Sequence, residues 1–289
     1  VPTWLQVSIE RMAPMLRAMR HGDGGLALFH EGTSGDPEEI DVLLSKANVR
    51  GKKLFSGPHS GYHRLEAGKT VLIMDGGVSP DQATNKWGHA GALAFEMSTG
   101  KERLIVNCGT TRRLGKDWHQ ALRSTAAHST MTVDDVNSAE LNRLGGFWHM
   151  PADVHCSRRE IDGRTVLEAS SDGYCQTFDL THRRILTISD DGLEIQGEDQ
   201  LRGTGGRSFA LRFHLHPNVQ ATLIQHGSAA LLKLRRGRGW KLTVPDMNLI
   251  LEKSVYLDGS THRRRNQQII VFGELLGRGA SVKWRLTRI

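Results

Sequence analysis

From about residue 53 onward the chain alternates apolar and polar positions over short runs, and each run closes on Gly, Asp or Asn. A period of two marks strands with one buried face. The runs read as strands cover 70–75, 92–97, 103–108, 129–134, 164–170, 181–189, 192–198, 209–215, 230–234, 241–244, 248–256, 267–275 and 280–287. They recur every 10 to 20 residues or so, and Asp-Gly pairs at 162–163, 172–173, 191–192 and 258–259 supply turn signals. This is an all-β pattern with more strands than a seven-stranded immunoglobulin domain needs. It predicts a large, multi-stranded antiparallel β-sandwich.

The first 50 residues follow another period. Trp4, Leu5, Ile9, Met12, Leu16 and Met19 recur at three- and four-residue spacings, which predicts a helix over 3–21, kinked at Pro14 and capped at Gly22. A second helix opens with Asp36 as N-cap, Pro37 in the first helical position and Glu38 and Glu39 in the first turn, then runs through Ile40, Leu43 and Leu44. The division expected is a helical remnant and linker over 1–48 and a sandwich over 49–289. The chain starts at Val1 without an initiator Met, and the first helix presents an orphan apolar face. Both features lead to the expectation of a longer parent chain with a preceding helical domain.

Composition changes this picture in three places. No apolar run reaches the roughly 20 residues of a membrane span, so no membrane insertion is expected. A net charge of +7 favours polyanionic partners. Aromatic residues make up 6% without a recurring aromatic–basic pattern, which disfavours nucleic acid and leaves acidic polysaccharide. Cys108 reads as a small buried residue, and a Cys156–Cys175 pair stays open.

The candidate chemistry centres on His89 to Val133. With regular strands, His89 shares a face with Leu93, Phe95 and Met97, His128 alternates with Thr130 and Thr132, and Asn107 lies between them. Two histidines and an oxygen-bearing side chain suit a zinc-type site, while two satisfied core histidines give the same spacing. Arg212, His214 and His216 fall on one strand face as a second candidate. Among the basic clusters, Arg112, Arg113 and Arg123 flank the histidines and are the candidate carboxylate binders; those at 235–238 and 262–265 read as solvent-facing turns. Nucleophile-elbow, P-loop and dinucleotide motifs are absent from the sequence.

The pieces HAGALAFEM, IVNCGT and RSTAAHSTMTV resemble the C-terminal region of the heparinase II/III-like polysaccharide lyases, and 182–201, 209–217 and 251–259 look like that family's later strands. The likeness covers roughly 50–289. It implies a helical toroid followed by the sandwich, and β-elimination on uronic-acid polysaccharide in the periplasm or cell envelope. It also implies that the toroid carries the main catalytic Tyr and His or Asn, so that this segment alone is inactive. Residue by residue, His89 matches the sandwich histidine beside the substrate, and His89, Asn107 and His128 match the zinc ligands. Asn107 stands where the family shows Asp, Trp87 where members carry a further His, and Gly91 where they carry an acid. A carbohydrate-binding or envelope-structural module that kept the fold without the chemistry is the alternative.

Overall fold

The computed structural model describes residues 2–49, 54–78, 85–111, 113–236, 238–260 and 262–289, and the statements that follow concern these. Two large sheets form the sandwich. The nine-stranded sheet runs in the order Tyr62–Ala67, Thr70–Asp75, Phe95–Thr99, Glu102–Val106, Ser208–Leu215, Arg264–Glu274, Leu249–Asp258 and Gly109–Thr110, with Met131–Val133 beside Ser208–Leu215. The eight-stranded sheet runs Gln220–Ile224, Ala229–Lys233, Trp240–Thr243, Ala280–Arg288, Glu194–Gly203, Leu180–Ile188, Arg164–Tyr174 and Val154–Ile161. Pairing is antiparallel, apart from the short parallel contact of Leu257 and Asp258 with Gly109 and Thr110.

Sequence pattern dictates which sheet faces water. Leu180–Ile188 and Glu194–Gly203 alternate buried and half-buried positions, so one face of the eight-stranded sheet packs inward and the other is solvated. Thr70–Asp75 is buried at every position, because its Val71 and Ile73 lie beneath Ala27 and Phe29 of the N-terminal segment. That segment forms a third layer over the nine-stranded sheet.

Between the sheets, Phe95 stacks on Trp284 at 5.6 Å and both meet Phe213 edge-on. Gly197 makes this possible: a Cβ there would stand 2.0 Å from the Trp284 indole. Beside the aromatics lies a buried ion pair. Asp199 Oδ1 accepts from Arg184 Nε (2.8 Å) and His182 Nε2 (2.9 Å), and Oδ2 accepts from Trp284 Nε1 (2.9 Å). Arg184, from the eight-stranded sheet, then crosses the core and donates through Nη1 to Leu93 O (2.6 Å) and Ser129 O (2.9 Å).

Several sequence expectations change. The first helix is Thr3–Ala18; it continues through Pro14, and Met19 rather than Gly22 caps it. Asp36 does cap Pro37–Ala47, accepting from Glu38 N at 2.8 Å. Asp172 and Gly173 are not a turn but a bulge inside Arg164–Tyr174, where Gly173 passes close to Ser138 O. His89 and His128 precede their strands, which start at Phe95 and Met131. All three cysteines are free thiols.

Burial alone would raise the Asp199 carboxyl; Arg184 and the His182 bond overcome this and hold it at about 2. Its folded value lies below the ordinary one, so its contribution to stability is complete above about pH 4 and is lost as pH falls toward 2. Arg184→Met strands the carboxylate and is expected to cost about 3–5 kcal/mol in urea unfolding, with Asp199→Leu on the same background recovering much of it. A single-variant cost under about 1 kcal/mol would contradict the bridge.

Candidate functional site

Four segments converge on the edge of the nine-stranded sheet below the N-terminal layer. Residues 26–31 are pinned by Leu26 N to Ser34 O and Ala27 N to Met19 O, and they present His30, in the left-handed region at φ 52°, and Glu31. The loop before Phe95 presents His89. The short turn Thr125–Ala127 ends at His128, and helix Lys116–Arg123 presents His119.

Hydrogen bonding fixes the imidazole tautomers. His128 Nδ1 lies 2.7 Å from Ser124 O, so it donates and Nε2 keeps a lone pair. That lone pair accepts from His89 Nδ1 at 3.1 Å, which leaves the His89 Nε2 lone pair bare. The backbone N–H of His89 donates to His30 Nδ1 (3.0 Å), so His30 carries its proton on Nε2, 3.4 Å from Asp75 Oδ2. His119 Nε2 donates to Glu31 Oε1 at 2.7 Å, and His89 Nε2 faces the same oxygen from 3.6 Å.

Exposure separates these groups. The His89 side chain is 1% exposed, whereas His119 is 18% and His30 25% exposed. Trp87 stands edge-on to His119 at 5.4 Å and forms the rim. Burial lowers His89 to about 4 against the pull of Glu31, and burial with the neighbouring His89 takes His128 well below its ordinary value.

This geometry corrects several sequence assignments. His89, read as the residue beside the substrate, is enclosed; His30 and His119 are the more exposed imidazoles of the group. Asn107 is not a ligand, because its amide Nδ2 donates to Leu28 O (3.0 Å) and its Oδ1 accepts from Ser129 N (2.9 Å). Arg123 is not a free carboxylate binder. It is buried, and it donates to the carbonyls of Gly88, Asn142 and Gly146. Arg113 is exposed, and Arg112 lies outside the described residues. His214 spends its ring on Ser254 Oγ (2.8 Å) and Ala126 O (3.0 Å), and His216 meets Tyr256 edge-on, so the second histidine pair is structural.

The zinc site that the resemblance implies needs three protein ligands. His89 Nδ1 and His128 Nε2 could supply two nitrogens, but Asn107 is spent on the backbone. Gly91, in place of an acid, lies so close that a Cβ would be 2.8 Å from the His128 ring. Among the described residues, no three His, Cys, Asp or Glu side chains form a metal-holding group. The donor set does not fit.

His30, Glu31 and His119 were missed by sequence reasoning. His30 and Glu31 lie on a segment without periodicity, where only their adjacency after the apolar run 26–29 could have pointed to them, and His119 lies on the short helix Lys116–Arg123, which was not predicted from the sequence.

Solved structures share this fold. The heparan sulfate lyase HepC from Pedobacter heparinus superposes with a TM-score of 0.74 at 12% identity, over 94% of this chain and 45% of its own. A heparinase III, the BT4657 gene product, superposes with a TM-score of 0.76 at 14% identity, over 94% and 45%. Residues 49–285 match the model of the heparinase II/III-like C-terminal domain, and the chain belongs to that family. FtsZ-localized protein C of Caulobacter vibrioides is 30% identical over 99% of this chain and 52% of its own length, so the chain spans about half of this curated relative.

Two outcomes follow. His89, His128, His214 and His216 all have folded values below 6.5, so the unfolded state binds protons first as the solution acidifies. Stability should be full above about pH 6.5 and fall steadily toward pH 4, read as the urea midpoint; a flat profile over that range would contradict the neutral, buried cluster. Elemental analysis after zinc loading and dialysis should find no stoichiometric zinc, and one equivalent per chain would overturn the reading of Asn107.

Proposed function

We propose that this chain is the sandwich portion of a lyase that cleaves uronic-acid-containing polysaccharide by β-elimination, in the periplasm or cell envelope. The observation that carries the reading is the His119–Glu31 pair. It is a carboxylate-oriented imidazole at the rim of a neutral histidine cluster, on a fold shared with heparan-type lyases.

The reaction removes the proton at C5, α to the uronate carboxylate, and expels the oxygen at C4. Because Nε2 of His119 is committed as donor to Glu31, its Nδ1 lone pair is left to take a proton. The carboxylate stabilises the imidazolium that forms, in the way a buried acid orients a catalytic histidine elsewhere. Uronate charge needs cations. Arg113 is exposed at the entrance to the His119 helix, Lys86 lies 5.1 Å over Trp87, and Arg263 lies 4.8 Å over Trp118. In this reading the helical portion of the longer protein completes the site.

A second reading, a glycan-binding or envelope-structural module, has one observation in its favour: the curated relative at 30% identity is named for localisation with FtsZ rather than for catalysis. One assay separates the two. The protein carrying its helical portion is incubated with alginate, heparan sulfate and other uronic-acid polymers, and ultraviolet absorbance of the unsaturated product is followed. Turnover is expected, with His119→Ala lowering kcat about 100-fold or more and Glu31→Gln shifting the acid limb of the pH profile. Glycan binding without product from any polymer would leave the module reading standing.

A further inference from the structure

A broad cavity lined by none of the histidines lies on the solvated face of the eight-stranded sheet. It is a trough of about 720 Å³ across four strands, within the roughly 300–1,000 Å³ typical of ligand sites. We infer that this trough is a second binding site, for a stretch of anionic polysaccharide.

Its lining carries three cations, Lys241, Lys283 and Arg285, against the single carboxylate of Glu198. Strand register sets them in rows: Lys241 pairs with Thr287, Arg285 lies between Thr243 and Gln196, and Lys283 pairs with Glu198. Glu198 faces Lys283 across the register and also accepts from Ser281 Oγ (2.9 Å) and Gln200 Nε2, so it offsets one of the three cations and leaves Lys241 and Arg285. Arg285 reaches only a long contact of 3.8 Å to Glu194. The cations therefore hold a positive field over a floor of hydroxyl and amide groups, which complements carboxylate or sulfate together with sugar hydroxyls.

The other polyanions fit less well. The trough crosses the middle of the sheet, so no free strand edge is available for an extended peptide to join. The aromatic residue in its lining, Trp284, is 2% exposed, stacked on Phe95 and bonded to Asp199, and so offers little face for base stacking. A glycan needs neither feature. Binding here uses none of His30, Glu31, His89 or His119, so the inference goes beyond the acid–base reading and can fail or hold separately from it.

The test is calorimetry and amide-shift mapping of the protein with two probes, an alginate oligosaccharide (carboxylate only) and a heparin oligosaccharide (sulfated). At least one should bind and move the amides of Thr187, Thr243 and Thr287. Lys241→Ala with Lys283→Ala should weaken it about three- to tenfold and flatten its salt dependence. His119→Ala should leave this binding intact while removing any turnover. The inference is overturned by unchanged affinity in the double lysine variant, by an equal loss in Arg235→Ala with Arg236→Ala at an exposed turn, or by tighter, lysine-dependent binding of polyglutamate.

Discussion

The buried pair of Arg184 and Asp199 is the constraint on which both the sandwich and the site depend. A charged pair in the core is costly unless every group is satisfied. Here Asp199 is satisfied by Arg184, His182 and Trp284, and Arg184 Nη1 reaches Leu93 O and Ser129 O, while Nη2 finds no hydrogen-bond partner among the described residues. Those two carbonyls belong to the loops that carry His89 and His128. The same guanidinium lies 5.2 Å over Phe95, so the ion pair, the aromatic stack and the placement of two site histidines form one packed unit.

From that unit outward, the site is held by hydrogen bonds to main-chain carbonyls. Arg123 binds three carbonyls and sets the loop before His89; Asn107 ties Leu28 to Ser129 and so links the N-terminal layer to the His128 turn. A third link closes the joint: His21 sits between Ser98 Oγ (2.9 Å) and Glu96 Oε2 (3.0 Å), and Glu96 also accepts from Asn107 N. The layer that contributes His30 and Glu31 is therefore bonded through buried polar groups to the sheet that contributes His89. These bonds fix the geometry of the histidine cluster.

Much of the fold was legible because alternation is a direct consequence of one-sided burial. The strands that escaped were those where this rule weakens. Tyr62–Ala67 and Val154–Ile161 lie at sheet edges and are rich in polar residues, while Gln220–Ile224 buries only Ala221. The stretch that carried the resemblance is closely packed, with Gly91 set against the His128 ring. The working site was less legible. His89 and Glu31 are 58 positions apart in sequence, on loops whose course follows from tertiary bonds. Arg123 and Asn107 were misread because a guanidinium or amide looks the same in sequence whether it meets a ligand or main-chain carbonyls.

The central claim is that the buried His89–His128 pair holds one defined set of protons. Long-range nitrogen–proton NMR of the imidazoles at neutral pH tests it most directly. The account predicts protons on Nδ1 of His89 and of His128, with lone pairs on their Nε2 nitrogens. A proton on His89 Nε2, or metal-shifted resonances for His89 and His128, would contradict it.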